Sequence, residues 1–186
     1  QGIIYNVHTA PSISKQYQFS PRLKWHYFIN ESNSISLSYD NIFMPTNIEN
    51  IGAIASLLGA QGTPNLPEKD NLFELAFMRN WDNGMNTKLA GFYKESSPGL
   101  DDQTLGSSTI RVNININRVF VRGLEFAATY TNQDSPFSGY LNSSLIHAFG
   151  TGPVSGGFIP ADISTIPFDL DHDQRLSCVI GLNYQP

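Results

Sequence analysis

The densest set of potential ligands lies near the end of the chain, where Asp169, Asp171, His172 and Asp173 fall within five positions. Carboxylate oxygens suit a hard cation such as calcium, but the spacing is not that of the twelve-residue calcium loop. Arg175 follows closely, and a salt-bridged strand end is the simpler expectation, so no metal ligand is assigned. His172 beside aspartates would suit hydrolysis only with a nucleophile. No motif places a Ser or Cys beside it, so no catalytic residue and no enzymatic activity are expected. GTGPVSGG (150–157) has the glycines of a phosphate loop but lacks its Lys-Ser/Thr ending. Pro153 and Pro160 also deny it a following helix. It reads as a loop, and no cofactor is implied. Cys178 alternates with polar neighbours, as a small hydrophobe in a strand does. Glu74 and Glu125 stand beside apolar neighbours, and because an unpaired buried carboxylate is costly they are expected to meet Arg111, Arg79 or Lys88.

The composition around these residues is unusual. Of 186 residues only 15% are charged, with a net charge of −5, against roughly 25% charged in ordinary soluble domains. Seventeen Asn and 19 Ser make up the polar share. No stretch approaches the ~18 apolar residues of a transmembrane helix. One Cys excludes an internal disulfide framework. The absence of basic clusters argues against nucleic acid as a partner. Abundant aromatic and β-branched residues argue against disorder. The chain opens on Gln1 with no signal-like segment, as a mature form or a piece of something longer would.

The dominant periodicity is two. In NLFELAFMRNW, Phe73, Leu75, Phe77 and Trp81 alternate with Glu74, Ala76, Met78 and Asn80. Similar strands are predicted over 21–30, 35–43, 85–95, 108–130, 139–149 and 175–184, giving seven. Short turns are expected at 31–34, 82–84 and 132–138, the second being Asp82-Asn83-Gly84, whose Asn and Gly tolerate positive φ. Long loops are expected at 45–68, 96–107 and 150–169, with a short helix or apolar tip at 51–58. Arg118 and Arg122 break the parity of the longest run, which predicts a bulge at 118–123 permitted by Gly123. At ~3.3 Å per residue this run exceeds the ~25 Å apolar band of an outer-membrane barrel. Alternating short and long connections fit an up-and-down barrel. Seven strands is odd, so the chain reads as a segment of a larger one. The alternation predicts that Leu75, Phe77, Val112, Ile114, Phe126 and Ile180 point outward, and that Glu74, Arg111, Asn113, Asn115 and Glu125 face the lumen.

Several phrases resemble the barrel of TonB-dependent outer-membrane receptors. They are Phe19-Ser20-Pro21-Arg22-Leu23, Asn65-Leu66-Pro67-Glu68-Lys69, Phe73-Glu74-Leu75, Phe92-Tyr93-Lys94, Arg122-Gly123-Leu124-Glu125-Phe126, Ala148-Phe149-Gly150 and Asp169 to Arg175. They occur in the family's order over roughly residues 19–185. The resemblance implies an all-β, antiparallel transmembrane barrel segment in the cell outer membrane, spanning 1–186. The plug domain and the last strands are not in it. It also implies import of a scarce nutrient (siderophore, cobalamin, saccharide or peptide) bound by extracellular loops. The lipid bilayer is one partner and TonB, acting through the missing plug, another. Two other readings remain open: a soluble β-sandwich that binds carbohydrate, and a passive porin-type barrel.

Overall fold

The computed structural model describes residues 18–45, 66–104, 107, 111–155, 166–170 and 173–185. The segment 51–58 and the residues Asp171 and His172 lie outside the described residues, as do the side chains of Arg111 and Val112. Every described element is a strand: β1 (Arg22–Phe28), β2 (Asn33–Met44), β3 (Glu68–Asn80), β4 (Met85–Ser96), β5 (Gly99–Thr104), β6 (Arg111–Thr131), β7 (Phe137–Ser155), β8 (Phe168–Asp169) and β9 (Leu176–Tyr184). All pairings are antiparallel, in the order β1-β2-β3-β4-β6-β7-β9. β5 continues β4 along β6, and β8 continues β9 along β7. The chain therefore makes seven passes, and the sheet is open.

Each short connection is closed by an asparagine. Asn30 Oδ1 accepts from the backbone N–H groups of Ser32 (3.0 Å) and Asn33 (2.8 Å). Asn83 Oδ1 accepts from Met85 N (3.1 Å), and Asn132 Oδ1 from Asp134 N (3.0 Å). These side chains mimic a backbone turn and take up N–H groups that the reversal would otherwise leave unpaired. Gly84 takes the positive φ that the second turn requires, at 84°.

The register sorts side chains onto two faces. On one, Ser36, Ala76 and Ala90 lie in a single cross-strand row and are almost fully buried. Lys24, His26, Glu74, Lys88, Glu125, Asn142 and Ser144 share that face. On the other, Leu37, Leu75, Gly91, Leu124, Leu145 and Leu176 form one continuous row, with Tyr27, Ile35, Phe77, Leu89 and Phe126 in the next. Leu75, Phe77, Phe126 and Ile180 all lie on this apolar, exposed face, as the alternation predicts.

Two features depart from the sequence reading. Residues 99–104 are not loop but strand, held by pairing to β6; GLDDQT carries no alternation that would reveal it. The irregularity in β6 falls between Ile116 and Arg118, at the near edge of the expected 118–123 window and away from Gly123. Opposite it β7 carries one extra residue, at Gly152 with φ 85°. Ile116 and Val119 would face opposite ways in a regular strand, yet they share one cluster with Ala148 and Leu170. The strand therefore changes facing here. Ile114, predicted to point outward, is buried, and Ile116 is only 1% exposed. Gly123 serves close packing instead: a Cβ there would lie 2.6 Å from Leu145 O and 2.9 Å from the Phe92 ring.

Candidate functional site

The apolar face is bordered by aromatic rings. Along the long-loop side run Tyr39–Phe73 (ring centroids 4.9 Å apart), Tyr93–Phe120 (6.3 Å) and Phe120–Phe149 (5.2 Å). Along the short-turn side stand stacked Trp25–Tyr27, Trp81 under the Arg79 guanidinium (3.8 Å), and Phe137–Tyr184 (5.0 Å). On β6 the two borders are Phe120 and Tyr130, ten positions apart. At ~3.3 Å per residue, and with barrel strands tilted ~35–45°, that separation projects to about 25 Å. This matches the height of an outer-membrane apolar band. The band also shifts across the register. Along β3 it runs from Phe73 to Trp81; on β9 it runs from Leu176 to Tyr184, one row nearer the short turns at each end. Tilted strands crossing a level membrane require such a drift.

The polar face carries the charged groups. Glu74 meets Lys88 Nζ at 3.1 Å, a diagonal pair across β3 and β4. Lys88 is one of the expected partners, while Arg79 lies on the opposite face over Trp81. Glu125 is exposed on the polar face, with no ion-pair partner among the described residues. Asn113 is half-buried and Asn115 fully so. Asn115 does not line an open surface: its amide accepts from Leu66 N (2.7 Å) and donates to Leu66 O (2.9 Å) and Gly99 O (3.3 Å). A side-chain amide thus stands in for a neighbouring strand, tying the entry to β3 onto β6. Asn115→Asp would set a carboxylate oxygen against both carbonyls. It is expected to cost about 1–3 kcal/mol, read as faster amide hydrogen exchange confined to residues 66–70.

Beside this latch is a charged knot the sequence reading did not single out. Lys94 Nζ lies 3.1 Å from Glu68 Oε1 and 2.9 Å from Asp70 Oδ2, and both carboxylates are buried. Glu68 Oε2 accepts from Leu100 N at 2.5 Å. Asp70 Oδ1 has no partner among the described residues. The signal was present: Glu68 and Asp70 share a face by period two, and a hairpin turning at 82–84 brings Lys94 opposite Leu72.

The expected salt-bridged end of the last pass is present. Arg175 Nη2 lies 2.7 Å from Asp169 Oδ2, and its Nε pairs with Asp173 Oδ2. Asp169 Oδ1 is 3.0 Å from His147 Nε2, and Asp173 Oδ1 accepts from Ala148 N at 2.9 Å. His147, Asp169 and Asp173 are close enough to share an ion, but all four carboxylate oxygens already have protein partners. The hydrogen bond from His147, with the Arg175 charge adding to it, holds the Asp169 carboxyl below its ordinary value. A carboxyl lowered in the native state stabilises above its unfolded pKa, near 3.9. That contribution disappears as pH falls through the lowered value. β8 is therefore expected to stay attached down to about pH 4 and to loosen only below it. Proteolysis of residues 166–175 against pH checks this, and release near pH 6 would contradict it.

Cys178 sits on the apolar face opposite Ser143, and is exposed. In the membrane-inserted protein a charged, water-soluble maleimide should leave it unmodified. After unfolding in denaturant it should react fully.

A soluble protein rarely exposes so large a contiguous apolar surface. A tilted antiparallel sheet with one apolar face, two aromatic borders and a polar reverse side is the wall of an outer-membrane β-barrel. More narrowly, the chain belongs to the TonB-dependent receptor family: the family model described as TonB dependent receptor-like, beta-barrel, matches residues 5–185. This is a family of outer-membrane transport proteins rather than enzymes. No curated protein and no solved structure matches the chain.

Proposed function

We propose that this chain is wall, rim and loop scaffold of a receptor that imports a scarce nutrient through a plugged lumen. The apolar face meets lipid, and the polar face, with Glu74, Lys88, Glu125, Asn142 and Ser144, lines the lumen against a plug supplied by another part of the full-length receptor. The short turns at 29–33, 81–84 and 132–136 lie on the periplasmic side and the long connections on the extracellular side, as in such barrels. Import draws its energy from TonB acting on the plug. The ligand is a siderophore, cobalamin, a saccharide or a peptide, captured by the long connections.

The observation that carries this reading is the drifting apolar band between two aromatic borders, within a chain matched almost throughout by the receptor-barrel family. Uptake of labelled ligands of the four classes, in cells with and without the full-length receptor and with and without TonB, tests it. Import of one class that requires both supports it. Import that ignores TonB would favour a passive porin. Recovery of the full-length protein in the aqueous fraction without detergent would favour a soluble binding module.

A further inference from the structure

The apolar face is not uniformly filled. The row Leu37–Leu75–Gly91–Leu124–Leu145 has one position without a side chain, Gly91. Around it opens a groove of about 720 Å³, lined by those leucines and running up to Tyr93, Arg122 and His147. Arg122 stands one row above the leucines, level with the aromatic border formed by Phe73 and Tyr93. Its guanidinium lies 5.6 Å from the centroid of the Phe149 ring. Among the described residues no carboxylate pairs with it. The nearby acidic groups Asp169 and Asp173 are taken up by Arg175 and His147, and Glu95 stands further toward the rim on β4.

An uncompensated cation on a lipid-facing wall is costly unless it sits at the headgroup level. There it meets phosphate, which the planar guanidinium binds through two parallel hydrogen bonds. Immediately below it is an apolar trough one strand wide. We propose that this groove is a binding seat for a single anionic membrane lipid, with its phosphate on Arg122 and an acyl chain laid over Gly91 between Leu75 and Leu124. The seat rests on the lipid-facing assignment of this side and adds to it a site with a defined headgroup charge.

The test uses the full-length receptor in nanodiscs holding equal amounts of phosphatidylglycerol and phosphatidylcholine, followed by native mass spectrometry of lipids retained after detergent release. Wild type should retain one phosphatidylglycerol in preference to phosphatidylcholine. Arg122→Ala should reduce that preference about tenfold, the scale of one hydrogen bond to a charged group. Arg122→Lys, which keeps the charge but not the fork, should fall between them. Gly91→Leu should abolish retention of either lipid. A Cβ added there meets only the flexible Leu124 Cδ2, at 3.4 Å, and the position lies on the exposed apolar face, so folding, read as heat-modifiable gel mobility, should be unchanged.

Equal retention of the two lipids by wild type would overturn the seat, as would unchanged retention in Gly91→Leu or a dimer formed through this face. Quenching of a label at position 75 by a lipid-soluble quencher, in the same samples, separates failure of the seat from failure of the wall assignment.

Discussion

Lys94→Met is expected to destabilise the folded sheet by about 3–5 kcal/mol, the range for breaking a buried ion pair from one side. Lys94 is the only cation within salt-bridge distance of Glu68 and Asp70 among the described residues, and it serves both from one ammonium. Its removal leaves two carboxylates facing each other in a site from which water is largely excluded. Asp70 already has one oxygen without a partner among the described residues. The Leu100 N–H on Glu68 would be the principal remaining compensation. Chemical denaturation of the receptor in detergent measures the loss. A triple change, Glu68→Gln, Asp70→Asn and Lys94→Met, should recover most of it, because the cost lies in unpaired charge rather than lost contact. A single variant as stable as wild type would contradict the buried-pair account.

Phe77→Arg is expected to be the next most damaging change, at about 2–4 kcal/mol for an arginine near the middle of the lipid-facing band. Phe77 lies midway between Phe73 and Trp81, flanked by Ile35 and Leu89, and is 41% exposed in the sheet. Asn142→Arg, an exposed position on the polar face, should change stability by less than ~0.5 kcal/mol, as surface substitutions usually do. The pair is informative because the two side chains are similarly exposed in this sheet and differ in the solvent assigned to their face. Equal penalties would mean the two faces see the same medium.

These contrasts show where the sequence is legible. The parity of Phe73, Leu75 and Phe77 could be read directly, since period two is a property of the strand itself and needs no partner. The three short turns could be read because Asn30, Asn83 and Asn132 close them through local bonds. The Arg175 pairing with Asp169 was also local, whereas His147, contributed by a neighbouring strand, was not foreseen.

The run through Ile114 and Ile116 misled for a physical reason. Alternation persists along β6, but the strand changes facing near Arg118, so the same pattern that means lipid below means interior above. β5 was invisible because GLDDQT, with Leu100 its one large apolar residue, carries no alternation and is a strand by pairing with β6. The Asn115 bonds to Leu66 join residues 49 positions apart, and no local pattern announces such a contact.

One face of this sheet is assigned to lipid and the other to water. This assignment is tested most directly by single labels placed in turn at positions 73 to 78 of β3 in the full-length receptor in vesicles, with Cys178→Ala as background. Each label is read for collision with a lipid-soluble and a water-soluble quencher. A period-two profile is expected, with 73, 75 and 77 reached from lipid and 74, 76 and 78 screened from it. A flat profile, or one of opposite phase, would contradict it.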